Sequence, residues 1–600
     1  MELLILLVER RGELVSREEI AERLWVQHVF LDVDHSINTA IRKIRLALAD
    51  DPEKPRFVET VVGKGYRFAA SVSCNGDSNS LPHAVSVPAQ PANLAIPPVE
   101  ESIVSPRRRW WPAAICLIVL LLAALLLYRG RMRAPAQPAL KSLAVLPLKN
   151  LSGDASQEYL AEGMTEALIG RLSGIRDLRV MSRTSVMHFK DTQLSVPEIA
   201  RTLGVDAIVE GSVIREGSRI RVHAQLIRGA TDEHFWSETY DRELSDVLTL
   251  QSEVAQAITR KVEVTLNGKE SERLTAARPV APDVYESYLR GEFGKNHSRA
   301  EIEESIAHYQ DAISKDPTFA PAYVGLAGAY DYLGLIFVGA PPGETRPKVI
   351  RAARKALELD PGLADAHVLL ADMYQKQWKW SEAETEYGRA LDLKPNDAAA
   401  YLGLANWLMC QGRTEEALQR AHRARELDPL STSVAEMGWI LFHARRYDEA
   451  IHEMRSQLAV RPDDASVLWF LGFALIGNGQ SEDAIPVLEK TASIMHRSPG
   501  ALEILATAYA HVGRRADALR VMNELKQRRR KGYVPAGAFI NAYLALGQYD
   551  EAFAGFEQAY QEQSNILQFL KVHPFFDPVR DDPRFKDLLR RVGLARENTG

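Results

Sequence analysis

Six hundred residues hold three cysteines, Cys74, Cys116 and Cys410. They are far apart and lie in stretches of different character, so no disulfide framework and no thiolate metal site is expected. The excess of acid over base is also small. A net charge of −6 excludes a wholesale polyanion binder and leaves any nucleic-acid contact to a local patch. Catalytic motifs are missing as well. The chain has no P-loop, nucleophile elbow, metal-ligand cluster or kinase motif set, so no catalytic, metal or cofactor residue is assigned and an enzyme such as a cyclase is disfavoured. Long apolar runs are scarce, and the one that stands out is the nineteen uncharged residues Trp110–Tyr128. What remains, 46% hydrophobic and 25% charged, is the composition of a globular chain long enough for about four domains.

The first seventy residues carry a local basic patch. Ser16-Arg-Glu-Glu19 reads as a capping box, followed by an apolar stripe through Ile20, Leu24 and Trp25. A second helix is predicted at about 34–48, with Ile37, Ile41, Ile44 and Leu48 on one buried seam. Asn38, Thr39, Arg42, Lys43 and Arg45 lie outside that seam, and no acid occurs between His35 and Ala49. Arg56–Phe68 then reads as a hairpin whose tip, Gly63-Lys64-Gly65, is basic and is followed by Tyr66 and Arg67. Two helices and a basic hairpin form a winged helix-turn-helix, in which a helix presents side chains to base edges while flanking cations neutralise phosphates. The candidate DNA-binding residues are therefore Asn38, Thr39, Arg42, Lys43, Arg45, Lys64, Tyr66 and Arg67.

VDHSINTAIRKIRLALADDPEKPRFVETVVGKGYRF resembles the recognition helix and wing of the OmpR/PhoB-type effector domain, in the branch found in CadC-like regulators. The resemblance implies sequence-specific binding of double-stranded DNA, with pairing of protomers on repeated half-sites. Members of that family carry a small sheet before the first helix, whereas MELLILLVERRG looks like the continuation of that helix. Residues 1–70 are thus expected to be an N-terminally truncated winged helix, through a start codon assigned downstream or through loss of the sheet.

Residues 71–106, rich in Pro, Ser, Ala and Asn, read as a flexible linker with a reach of roughly 35 Å. The run 110–128 would be about 28 Å long as a helix, against a hydrocarbon core of ~30 Å, so a single transmembrane helix is expected there. Arg107, Arg108 and Arg109 precede it and Arg129, Arg131 and Arg133 follow, which leaves the charge rule for orientation tied. A DNA reader must face the cytoplasm. The expectation is a bacterial inner-membrane protein with a single span, a cytoplasmic N-terminus and a periplasmic remainder.

Strand and helix signals alternate over 141–265. Ser142–Pro147 reads as a short buried strand, LRVMS at 178–182 as a second, and Arg219–Ile227 alternates Ile220, Val222, Ala224 and Leu226 with polar residues, as a half-exposed strand does. His223, His234 and Trp236 are read as surface or core packing. NLSGDASQEYLAEGMTEALIGRLS, LGVDAIVEGSV and HFWSETYDREL resemble the TolB-N/FlgO-like domain that precedes repeat arrays in CadC-like regulators, which implies an α/β sensory or interaction module without catalytic residues.

From 283 to 572 the chain repeats. Ala383, Ala417, Ala450, Ala484, Ala518 and Ala552 are spaced by 34, 33, 34, 34 and 34 residues, the period of the tetratricopeptide repeat. Such helix pairs stack into an all-α solenoid suited to a protein or peptide partner. One wider spacing predicts a loop insertion around Gly334–Gly343, and 573–600 is expected to cap the array. The whole is a multidomain chain: winged helix, transmembrane helix, α/β domain and solenoid. It reads as a membrane-anchored one-component transcription regulator. The alternative is an envelope scaffold working through its repeats, with a degenerate winged helix.

Overall fold

The computed structural model describes residues 2–10, 12–16, 19–20, 41, 44–45, 48, 50, 55–61, 65–70, 140–275, 279–294, 298–335, 340–430 and 433–595. The chain divides into two compact units, Met1–Leu122 and Ala123–Gly600.

In the first unit a helix, Glu2–Glu9, precedes β1 (Val15–Ser16). β2 (Val58–Val61) and β3 (Gly65–Phe68) form an antiparallel hairpin with Val58 opposite Phe68 and Val61 opposite Gly65. β1 pairs with the other edge of β3, giving the order β1-β3-β2. Gly65 has no substitute here, because a Cβ would lie 2.1 Å from the Val15 carbonyl oxygen. Ser16 Oγ accepts a hydrogen bond from the Glu19 amide at 3.1 Å, as an N-cap does. Ile41 is 3% exposed and joins Leu7, Ile20 and Val58 in one core, with Ile44 and Leu48 packed against it. Ile37 and Leu24, assigned to the same faces from the sequence, lie outside the described residues.

The second unit opens with a sheet in the order β6-β4-β7-β8-β9. Its strands are β4 (Ser142–Val145), β5 (Lys149–Asn150), β6 (Arg179–Val180), β7 (Ala207–Glu216), β8 (Arg219–Arg228) and β9 (Glu233–Glu243), with β5 beside β7. β4 is parallel to both β6 and β7, while β7, β8 and β9 form an antiparallel meander. The alternation read in β8 is realised: Ile220, Val222, Ala224 and Leu226 are fully buried. Helices Glu158–Leu172 and Val247–Val262 pack on that face through Met164, Leu168, Leu250 and Val254. Each such side chain contributes roughly 1.5–3 kcal/mol through burial. His223 meets Thr239 across the β8–β9 ladder, His234 meets Gln225, and Trp236 is buried.

Among the described residues eight helix pairs follow, from Pro282–Gly294 with Arg299–Lys315 to Ile540–Ala545 with Tyr549–Gln561. All six marker alanines have no exposed surface, because a helix crosses close over each. The insertion falls between Ala320–Leu333 and the long helix Pro342–Leu359. The turns between pairs dock on the sheet domain. Asn396 Nδ2 donates to the Arg176 and Leu178 carbonyls at 2.9 and 3.2 Å, Ser185 Oγ donates to Asp428, and Arg179 reaches the Glu426 carbonyl at 2.6 Å. Sheet and repeats are thus continuous in this unit.

Beyond the last pair the chain turns back. Gln568 Oε1 accepts from Gln375 Nε2 at 2.9 Å, Asn565 Oδ1 from Arg346 at 2.6 Å, and the Val592 carbonyl from Trp380 Nε1 at 2.8 Å. Asp577 takes Arg445 with both oxygens, at 2.6 and 2.7 Å. The closing segment therefore bridges the inner side of the array and reaches helices far from its end.

The expected transmembrane helix, and with it the single-pass inner-membrane localisation, is corrected. No helix among the described residues is long and apolar enough to cross a membrane. The longest, Pro342–Leu359, has 18 residues but alternates apolar with charged positions. The apolar Ala465–Gly477 has 13, about 20 Å against a core of ~30 Å, and its side chains are spent on neighbouring repeats. The run 110–128 lies outside the described residues.

Candidate nucleic-acid interface

The wing is held to the second helix by a small polar knot. Asp50, 6% exposed, accepts backbone N–H bonds from Arg56 and Phe57 on Oδ1 (2.5 and 3.1 Å) and from Val58 on Oδ2 (2.8 Å). Burial alone would raise its pKa. The three N–H donors and the nearby Arg45 guanidinium outweigh burial and hold the carboxyl below its usual range. Arg45 donates from Nη2 to the Val58 carbonyl at 2.9 Å and to Thr60 Oγ1 at 2.8 Å. The end of the helix and the start of β2 are thereby fixed to each other.

Of the eight candidate DNA contacts, Asn38, Thr39, Arg42, Lys43 and Lys64 lie outside the described residues. The other three have distinct surroundings. Arg45 is half-buried and bonded to the wing strand. Tyr66 is 3% exposed, its ring part of the core with Val58 and Phe68. Arg67 is on the surface of β3, 41% exposed, with Nη2 3.0 Å from Glu59 Oε2 on β2. Glu59 stands opposite Arg67 in the ladder, so the pair is a cross-strand one. Asp50 escaped the sequence reading. An acid just past a helix, followed at once by Asp51 and Pro52, carries no mark of which carboxylate turns inward.

Comparison with known proteins gives each part a relative. Residues 1–68 match the family model described as transcriptional regulatory protein, C terminal. Residues 139–257 match the HilA/YgeH-like transcriptional regulator, second domain, rather than the TolB-N/FlgO-like family suggested by the sequence. Residues 368–432 and 440–565 match tetratricopeptide-repeat models. The chain thus carries an OmpR/PhoB-type DNA-binding domain, a HilA/YgeH-like regulator domain and tetratricopeptide repeats.

Among curated proteins, the chain is 33% identical over 253 residues to a Rhizobium meliloti (strain 1021) protein whose name proposes it as adenylate cyclase 3, covering 42% of this chain and 43% of that one. It is 34% identical over 108 residues to the cholera toxin homolog transcriptional activator of Vibrio parahaemolyticus serotype O3:K6, covering 17% of this chain and 36% of that one. The chain therefore spans less than half the length of either relative. A tetratricopeptide protein of Thermus thermophilus, known from its crystal structure, aligns over 32% of this chain and 99% of its own at 15% identity and TM-score 0.29.

Proposed function

We propose that the chain is a transcription regulator that reads double-stranded DNA by sequence through residues 1–68 and receives a protein or peptide partner on its α/β–repeat unit. The observation that carries this reading is the match of residues 1–68 to a transcriptional regulator's DNA-binding domain. Three features support it: the hairpin that forms the wing, the core beneath it and the Asp50–Arg45 knot that fixes helix to wing. On this reading Arg42 and Lys43 face the groove, Lys64 and Arg67 grip phosphate on the wing, and Arg45 acts by positioning β2. Protomers pair on repeated half-sites, and the repeats carry the sensory or partner-binding role. The cyclase name belongs to a relative matched over less than half its length, and that activity is not carried over.

Selection of bound duplexes from a random pool by the full chain, followed by footprinting, tests the reading. A defined sequence should be enriched, and its affinity should fall with salt by a slope of about −0.9 for each phosphate contacted. Replacing a base-reading arginine such as Arg42 with alanine should cost ~1–3 kcal/mol at its own base pair. Recovery of no preferred sequence would defeat the reading and favour a scaffold acting through its repeats.

A further inference from the structure

The array surrounds a cavity of about 330 Å³, within the range of roughly 300–1,000 Å³ found for small-molecule sites. Its walls come from the inner helices of consecutive pairs and from the returning segment, which contributes Asn565, Gln568 and Phe569. Two kinds of side chain dominate. Trp439, Trp469, Phe470 and Phe473 form an aromatic wall, with Trp469 and Phe470 4.9 Å apart edge to face. Asp372, Glu436 and Glu503 supply three carboxyl groups.

No ion pair reaches any of these three acids among the described residues. Lys376, the basic side chain on the wall, is held by Asp331 at 2.8 Å. Glu503 is the most isolated. It is 4% exposed, and its carboxyl takes a hydrogen bond from Asn541 Nδ2 at 3.0 Å. Burial pushes it up to about 8, the Asn541 amide works in the opposite direction, and no charged neighbour contributes. Asp372 is pushed up to about 6, chiefly by burial; Lys376 and the Tyr387 hydroxyl oppose the rise and Asp331 adds to it. Glu436 is raised by burial, with Asn406 opposing and Asp372 adding. A buried carboxylate without a charged partner is costly, and of the three Glu503, pushed highest, is the one that stays protonated at neutral pH until a cation arrives.

Position in the repeat decides which acid a ligand would meet beside an aromatic ring. Trp469 and Glu503 are 34 residues apart, at equivalent places on successive inner helices. The Trp469 indole is anchored by its N–H to the Gly500 carbonyl at 2.9 Å, one turn from Glu503. An aromatic face next to an uncompensated carboxyl suits a positive head on an apolar body. An anion would meet three acids, and a neutral ligand would leave the carboxyl unpaired.

We propose that this cavity binds a small organic cation, an ammonium or guanidinium carried on an apolar body, with its charge on Glu503 and its body against Trp469 and Phe470. At neutral pH its arrival displaces the Glu503 proton, so binding exchanges a cation for a proton. The site lies wholly in the α/β–repeat unit and does not depend on DNA recognition, so failure of either reading leaves the other standing.

Calorimetric titration of the full chain at pH 7 with phenethylamine, benzyltrimethylammonium and phenylguanidine tests the site, with benzyl alcohol and phenylacetate as neutral and anionic controls. At least one cation should bind while both controls bind about tenfold more weakly or not at all. The heat should differ between phosphate and Tris buffers because a proton is released. Glu503→Gln, which keeps the shape and is neutral like the protonated acid, should weaken the cation about tenfold and abolish the buffer difference. Glu436→Gln serves as the second variant should the first lose its melting transition, and it should weaken binding less. Absence of binding by all three cations overturns the proposal. So does equal binding of the controls, or a folded Glu503→Gln chain that binds and releases protons like the wild type.

Discussion

In the sheet domain β4 finds both of its partners across intervening helices, and the core under β8 gathers side chains from residues 140 to 322. In the array helices pack mostly on their partner in the pair and on the adjoining pairs, and the same small alanine recurs with no exposed surface. The first kind of core is cooperative because every part needs distant parts. The second is a sum of neighbour terms, so damage should stay where it is made. The returning segment changes that expectation. Through Asn565, Gln568 and Val592 it ties the last repeat to helices beginning at Pro342, Ala364 and Trp380, and through Asp577 to the turn after Ser433–His443. An array that would be open becomes clasped, and its middle is linked to its end.

The largest test of this contrast is Phe576→Ala. Phe576 is fully buried, edge to face with Phe556 at 5.1 Å and stacked on His573 at 4.6 Å. Its loss should cost ~3–5 kcal/mol in denaturant titration. If the segment acts as a clasp, limited proteolysis of the variant should also open the stretch from Arg346 to Arg445. Cleavage confined to residues after 549 would return the array to a plain stack.

Ala450→Leu sharpens the same point from the other side. The alanine lies under a crossing helix with no exposed surface, so added bulk should cost ~1–3 kcal/mol. The Arg445–Asp577 bond is five residues away in sequence. Amide exchange should therefore quicken both in the helix Tyr447–Val460 and in the returning segment. Exchange unchanged after residue 564 would show that the clasp does not transmit the strain.

These contrasts follow what a sequence makes legible. The 34-residue period and the β8 alternation are local regularities, and both appear in the fold at the residues that showed them. β9 is harder to read, because only Trp236 and Tyr240 among its eleven residues are buried. The clasp leaves no mark at all: Gln375 and Gln568 are ordinary helix polar residues until the superhelix brings them together. Asp372, Glu436 and Glu503 likewise sit in separate repeats, and Trp469 takes the equivalent place between the two glutamates, so no recurring acid advertises a shared cavity. For the candidate nucleic-acid interface the sequence offers residue types in helix and wing but not their surroundings. The burial of Tyr66 and the engagement of Arg45 with β2 depend on a register that the spacing alone does not settle.

The first unit offers a smaller, pH-dependent effect. Asp50→Asn removes the charge from an acceptor of three backbone N–H bonds and should destabilise that domain by on the order of 1–2 kcal/mol at neutral pH. The folded carboxyl is depressed, so its contribution is fully present above the ordinary aspartate value of about 3.9 and fades as pH falls through the folded value. Melting curves of wild type and variant should diverge at pH 7 and draw together below about pH 4. A gap that stayed constant across that range would assign the effect to shape instead of charge.

The smallest effect concerns the wing surface. Arg67 can grip a phosphate only by leaving Glu59, which lies 3.0 Å away on the neighbouring strand. An exposed pair of this kind is worth roughly 0–1 kcal/mol, so breaking it should hardly move the melting temperature. It should nonetheless move DNA affinity. Glu59→Gln frees the guanidinium and removes a negative charge from the wing, and binding should tighten about two- to fivefold at low salt, within the range set by such a pair. Arg67→Ala should weaken binding on all sequences alike and reduce the salt slope by about 0.9. In gel-shift titrations across salt, a Glu59→Gln domain that binds no more tightly, beside an Arg67→Ala domain with an unchanged slope, would place β3 away from the phosphates and leave the second helix as the sole reader.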